Sequence, residues 1–174
     1  MIFPRILIAG IGNIFLGDDA FGVETVHALK GRSLPEDVTV RDFGVHGHDL
    51  AFALGDGYDA VVLVDATPRG QTPGTLSLLE LSLPAAGQEG AAGGGHSLDP
   101  VGVLQLAANF GAKVDHLFLI GCEPAVLESD DGTVELSAPV RAAVPRAVTM
   151  IETLITALVG PGTSGASSLF ATAP

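Results

Sequence analysis

A chain of 174 residues, 47% apolar and only 16% charged, has enough nonpolar surface to build one domain with a real core. Its 20 acidic against 8 basic side chains give a formal charge of −12, which repels phosphate backbones and anionic lipid, argues against nucleic acid and membrane partners, and attracts basic protein segments. Cys122 is the only cysteine, so an intrachain disulfide is excluded and nothing points to secretion.

The first residues lack the charged region, apolar core and cleavage site of a signal peptide. No uninterrupted apolar run approaches the roughly 18 residues that a bilayer span needs. A soluble, cytoplasmic protein is expected, with a single domain over residues 1–159 and a flexible tail over 160–174, whose sequence GPGTSGASSLFATAP has the composition of a tail.

The segment Arg5-Ile-Leu-Ile-Ala, ended by glycine, predicts a buried parallel strand, and Gly10-Ile-Gly-Asn13 predicts a tight turn. Asp18 and Asp19 follow, just before Val23, Val26 and Leu29, whose spacing predicts the first helix. One acid is readily explained as a helix cap; two adjacent acids exceed what a cap needs. A dinucleotide-binding turn requires a third glycine where Phe15 stands, and no Gly-Lys-Ser/Thr follows for a phosphate loop.

Val38-Thr-Val-Arg-Asp42 alternates like a half-buried strand and leads into a loop holding Gly44, His46, Gly47 and His48. The glycines permit positive φ or close backbone approach. The two histidines are read either as solvated loop residues or as ligands. A short helix over Leu50 to Leu54 precedes Ala60 to Val64, a continuous apolar run that predicts a strand covered on both faces. Asp65 ends that strand, where a carboxylate must be hydrogen-bonded, paired or used. In open α/β sheets this edge lines the ligand crevice.

Thr75 to Leu81 predicts a further strand, placed antiparallel or at an edge by its short link to the previous one. The glycine-rich stretch from Ala85 to Gly95 is expected to be mobile. It is followed by His96-Ser-Leu-Asp-Pro, in which Asp99 and Pro100 open a helix to about Asn109. His96 is thereby placed to swing into a crevice, or to be an ordinary polar loop residue. Leu117 to Ile120 predicts another buried strand ending in Gly121 and the acid Glu123. After a turn at Asp130-Asp-Gly, Ser137-Ala-Pro opens a last helix with Val148, Ile151, Leu154, Ile155 and Leu158 on one stripe and a kink or restart expected at Pro145.

Strands alternating with helices predict an α/β three-layer sandwich, a mostly parallel twisted sheet with helices on both faces. Loops after successive strands then emerge at one edge, where Asp19, Asp65 and His96 can converge. Two carboxylates and an imidazole suit zinc, nickel or iron, and equally suit acid, base and orienter in metal-free hydrolysis. The absence of a G-x-S-x-G turn disfavours a serine triad.

Gly10-Ile-Gly-Asn13 with Asp18-Asp19, Gly44-x-x-Gly47, Val64-Asp65-Ala66, His96-Ser-Leu-Asp-Pro and Gly121-Cys-Glu-Pro occur in the order and approximate spacing of the [NiFe]-hydrogenase maturation proteases, peptidase family M52, which the chain resembles over about residues 5 to 159. The resemblance implies a five-stranded sheet between helices and an endopeptidase that removes the C-terminal extension of a hydrogenase large-subunit precursor after nickel insertion. It implies Asp19, Asp65 and His96 as catalytic and nickel-contacting residues, and Gly44 and Gly47 as the loop that admits the incoming peptide. Nickel is then supplied by the precursor, with no permanently bound cofactor. Ala20 stands where many relatives have glycine, and Asp19 where some carry glutamate. From other classes, a nucleotide-binding module accounts for Gly10 and Gly12, and a non-catalytic hydrogenase chaperone for the acidic surface.

Overall fold

The computed structural model describes residues 3–87, 100–127 and 134–160. Five strands, β1 (Ile6–Ile11), β2 (Val38–Gly44), β3 (Ala60–Ala66), β4 (Leu76–Leu81) and β5 (His116–Cys122), form one sheet in the order β2-β1-β3-β5-β4. All neighbours are parallel except β4, the antiparallel edge strand beside β5. Four α-helices accompany it: α1 (Phe21–Leu29), α2 (Gly47–Ala53), α3 (Pro100–Asn109) and α4 (Ala138–Val159).

The alternation of side chains along each central strand explains why these runs are apolar without interruption. Ile6 and Ile8, with Val62, Val64 and Ile120, face a core closed by α1 and α4. Leu7 and Ala9, with Val61, Leu63 and Leu117, face a second core closed by α2 and α3. Both faces are dry, so every position of β1 and β3 is buried. The expected three-layer α/β sandwich is the fold observed.

Three local expectations need correction. Gly47 and His48 lie in the first turn of α2 rather than in a loop, with His46 as the residue before the helix. Glycine is tolerated there because its entropic cost is that of a helix interior and is smaller in the first turn. Helix α4 does not restart at Pro145, which lies within its 22 residues. Pro145 is exposed, on the side of the helix away from the core. Ser137 stands at the N-cap position of α4 without a side-chain capping bond, because its hydroxyl donates to Asp18 Oδ2 instead. The Asp130 turn, Asp99 and residues 161–174 of the expected tail lie outside the described residues.

Helix α4 is long and apolar enough to cross a bilayer by length and composition. Here its apolar stripe, Val140, Ala143, Ala147, Val148, Ile151, Leu154, Ile155 and Leu158, is buried in the core beneath the sheet.

Candidate active site

The strand order reverses direction at β1, which has β2 on one side and β3 on the other, with α1 and α2 on opposite faces. Helices leave such a point in opposite directions and open a crevice at the carboxyl ends of the two strands. Asp65 sits in β3 at that end, and Asp19 arrives from the loop after β1.

Glycines bring the two together. At Gly22, in the first turn of α1, a Cβ would stand 2.1 Å from the Val64 carbonyl oxygen and 2.3 Å from that of Ile11, so only glycine lets α1 rest directly on both strand ends. At Gly12, with φ +136°, a Cβ would stand 1.7 Å from the carbonyl oxygen of Asp19. The turn after β1 therefore folds back onto the acid loop, a one-turn 3₁₀ helix over Gly17–Ala20. Asn13 N–H donates to Asp19 Oδ2 at 2.7 Å, fixing that carboxylate.

Asp65 is buried and carries a strongly perturbed carboxyl. Burial first, and the negative charge of Asp19 second, push its pKa from 3.8 up to about 8 against a smaller opposing hydrogen bond from the Ala66 backbone. Among the described residues neither Asp19 nor Asp65 has an ion-pair partner. Burial and the Asp19 charge both favour the protonated form of Asp65, so this carboxyl gains by keeping a proton or meeting a cation.

Gly44 joins the same edge. It lies in the left-handed region at φ +50°, and its carbonyl accepts a hydrogen bond from Gly12 N–H at 3.0 Å. Asp42 holds it from behind, Oδ1 accepting from Gly44 N–H at 2.8 Å while Oδ2 meets His27 Nε2 at 2.9 Å. Gly47 is buried at the start of α2, one turn further on. His46 Nδ1 lies 3.2 Å from the Phe43 carbonyl oxygen, and His48 is exposed in the first turn of α2. His96 lies outside the described residues. Among the described residues no three His, Cys, Asp or Glu side chains gather as a metal-binding group.

Two acids do work that sequence reasoning missed. Asp18 is fully buried and accepts four hydrogen bonds: from the backbone N–H groups of Ala125, Val126 and Ser137, and from the Ser137 hydroxyl. It ties the segment after β5 and the start of α4 to the acid loop. Glu123 is likewise buried and accepts from Arg69 N–H at 2.8 Å and Gly70 N–H at 3.2 Å, clamping the link between β3 and β4. The only sequence signal for either was an acid beside a buried strand end or in excess of what a cap requires. Cys122 is buried, and burial together with the charge of Asp18 pushes its thiol up to about 11, which disqualifies it as a nucleophile at neutral pH.

Known proteins share this fold. A solved hydrogenase maturating endopeptidase HybD from Escherichia coli superposes with a TM-score of 0.69 at 31% identity, covering 84% of this chain and 89% of its own. A solved [NiFe] hydrogenase maturation protease HycI from Thermococcus kodakarensis superposes with a TM-score of 0.65 at 28% identity, covering 88% of this chain and 94% of its own. The hydrogenase expression/formation protein HupD of Rhizobium leguminosarum is 36% identical over 146 residues, 83% of this chain and 71% of that protein. The sequence model of the hydrogenase maturation proteases matches residues 23–154, and with an acid pair gathered at the strand edge of the same fold, this chain belongs to the hydrogenase maturation protease family and is an endopeptidase.

Proposed function

We propose that this endopeptidase removes the C-terminal extension of a [NiFe]-hydrogenase large-subunit precursor once nickel is in place, and that the precursor's nickel is what it recognises. The reading rests on one observation: at the carboxyl edge of the sheet Asp65 is buried and close enough to Asp19 to feel its charge, and among the described residues neither has an ion-pair partner. A divalent ion arriving on a substrate repays both the burial of Asp65 and its repulsion by Asp19. An empty precursor offers no such repayment, so the metal becomes the basis of discrimination. Asp19, Asp65 and His96 are the proposed ligands, and Gly44 and Gly47 border the path of the peptide. The step is assigned to the cytoplasm, and nickel leaves with the product, so no resident cofactor is required.

The hydrolytic step needs a base for the attacking water and an acid for the departing amine. With the metal on the substrate, a nickel ion near the scissile carbonyl polarises it and one carboxylate orients the water. The raised pKa of Asp65 favours a second reading, in which Asp65 and Asp19 act as an acid–base pair and nickel only positions the chain. The test is incubation with matched nickel-loaded and nickel-free precursors, followed by mass spectrometry of the C-terminus. Shortening of the loaded form alone is expected. Equal trimming of both forms removes nickel as the recognition element, and trimming of neither removes the assignment.

A further inference from the structure

Scattered apolar side chains on a surface need no explanation, but several gathered beside a reactive site do. Ile14, Phe15, Leu16, Val45 and Val126 are all exposed, Phe15 by 69%. Backbone hydrogen bonds hold them around the acid loop. Gly12 N–H donates to the Gly44 carbonyl, next to Val45, and Asp18 N–H donates to the Val126 carbonyl at 3.0 Å. Residues Ile14 to Leu16 bridge the gap between these two points.

The bridge is a rigid turn. Phe15 N–H donates to Asn13 Oδ1 at 3.0 Å, Leu16 N–H to the Asn13 carbonyl at 3.1 Å, and Asp19 N–H to the Leu16 carbonyl at 3.1 Å. Asn13 itself donates to Asp19 Oδ2. The turn that aims Phe15 outward is therefore the one that fixes Asp19. Any polypeptide cleaved at Asp19 and Asp65 must lie across the loops beside them, so its occupant is the substrate.

We propose, resting on the protease reading above, that Ile14, Phe15, Leu16, Val45 and Val126 form an apolar collar that seats apolar side chains of the precursor beside its cleavage point. The collar, rather than the overall acidity of the surface, supplies most of the affinity for the polypeptide. Phe15 is its anchor, since a rigid aromatic side chain loses little entropy on contact and buries the most area.

The experiment compares wild type, Phe15→Ser, Phe15→Leu and Asp19→Ala on nickel-loaded precursor, measuring capture of precursor on immobilised protein, KM, kcat and thermal melting. Phe15→Ser is expected to raise KM about tenfold with kcat within about twofold of wild type. It should also lose capture of the precursor and keep its melting temperature, because the side chain it removes is exposed. Phe15→Leu should restore most of the affinity, and raised salt should leave wild-type KM within about twofold, as expected of apolar contact. Asp19→Ala should lose trimming and keep part of the capture, weakened by the loss of one proposed ligand while Asp65 and the collar remain. Unchanged KM and capture in Phe15→Ser, with wild type trimming normally, overturn the collar while leaving the protease assignment intact. A wild-type dimer that Phe15→Ser turns into monomer with capture unchanged also overturns it. Failure of wild type to trim loaded precursor strikes the protease reading instead, and the capture comparison still decides the collar.

Discussion

Asp18 and Asp19 are consecutive, yet one carboxylate is consumed by four hydrogen bonds to residues more than a hundred positions away while the other accepts from Asn13 N–H and faces the charge of Asp65. The acid pair thus divides into an anchor and a site residue. Removing the anchor takes a carboxylate from three part-buried backbone donors that water reaches only in part, a loss of about 1–3 kcal/mol. Asp18→Ala is expected to lower stability by that amount in urea unfolding. Asp19→Ala is expected to leave stability within about 1 kcal/mol of wild type, as for a partly exposed side chain, and to abolish precursor trimming. An Asp18→Ala protein that unfolds at the wild-type urea concentration would show that the buried cluster is not an anchor.

Asp65 makes the converse case, a residue whose presence weakens the fold. Its folded pKa, about 8, is above the ordinary 3.8, so between these values the folded state keeps a proton that the unfolded chain has released. Stability must therefore fall as pH rises through that window, by up to a few kcal/mol. Asp65→Asn keeps the shape and never ionises. Its urea midpoint is expected to exceed that of wild type, with a gap that widens from pH 5 to pH 8 and then levels off, while trimming is lost. A gap that narrows over this range contradicts the burial of an uncompensated carboxyl.

Two glycines of the site separate steric from conformational cost. Gly44→Ala places a Cβ with nothing nearer than 3.7 Å, so its penalty is confined to the left-handed φ, about 1–2 kcal/mol. Gly12→Ala drives a Cβ into the Asp19 carbonyl and must move the acid loop. Gly44→Ala is expected to fold and trim at a reduced rate; Gly12→Ala is expected to lose trimming and to melt at a much lower temperature. Comparable melting of the two variants argues against close contact between the turn and the acid loop.

The layers of this fold were legible because covering both faces of a sheet leaves its central strands no polar position, as Ala60 to Val64 shows. The short link before Leu76 likewise announced an antiparallel edge. Asp65 was singled out because a carboxylate ending a buried strand must be paired or used, and Asp19 because two adjacent acids exceed what a cap needs and the family resemblance points to the second. What escaped was the work of groups whose partners are remote. Nothing near Asp18 in the chain reveals that Ala125, Val126 and Ser137 will surround it, and the one-turn 3₁₀ helix that parts its carboxylate from that of Asp19 is too short to leave a periodic signal. The start of α2 at Gly47 was hidden for a related reason: glycine is a poor helix residue on average, a cost that belongs to helix interiors more than to their first turn.

Protons should also report on the arrival of nickel. If the precursor's metal takes Asp65 as a ligand, the carboxyl that was protonated below about pH 8 must ionise on binding, since only the carboxylate coordinates well. Binding of loaded precursor to an Asp19→Ala protein, which keeps part of the capture without cleaving, is then expected to release close to one proton from Asp65 at pH 6.5, beside the fraction His96 gives up as a ligand, and almost none above pH 9. Calorimetry in buffers of differing ionisation enthalpy reads this number directly, and nickel-free precursor provides the baseline. Loss of Asp19 removes one of the two causes that raise Asp65, so the transition should sit somewhat lower than in wild type, with its direction unchanged. A proton count that is zero throughout would leave Asp65 protonated in the complex, and would favour its role as the acid of a carboxyl pair over that of a nickel ligand.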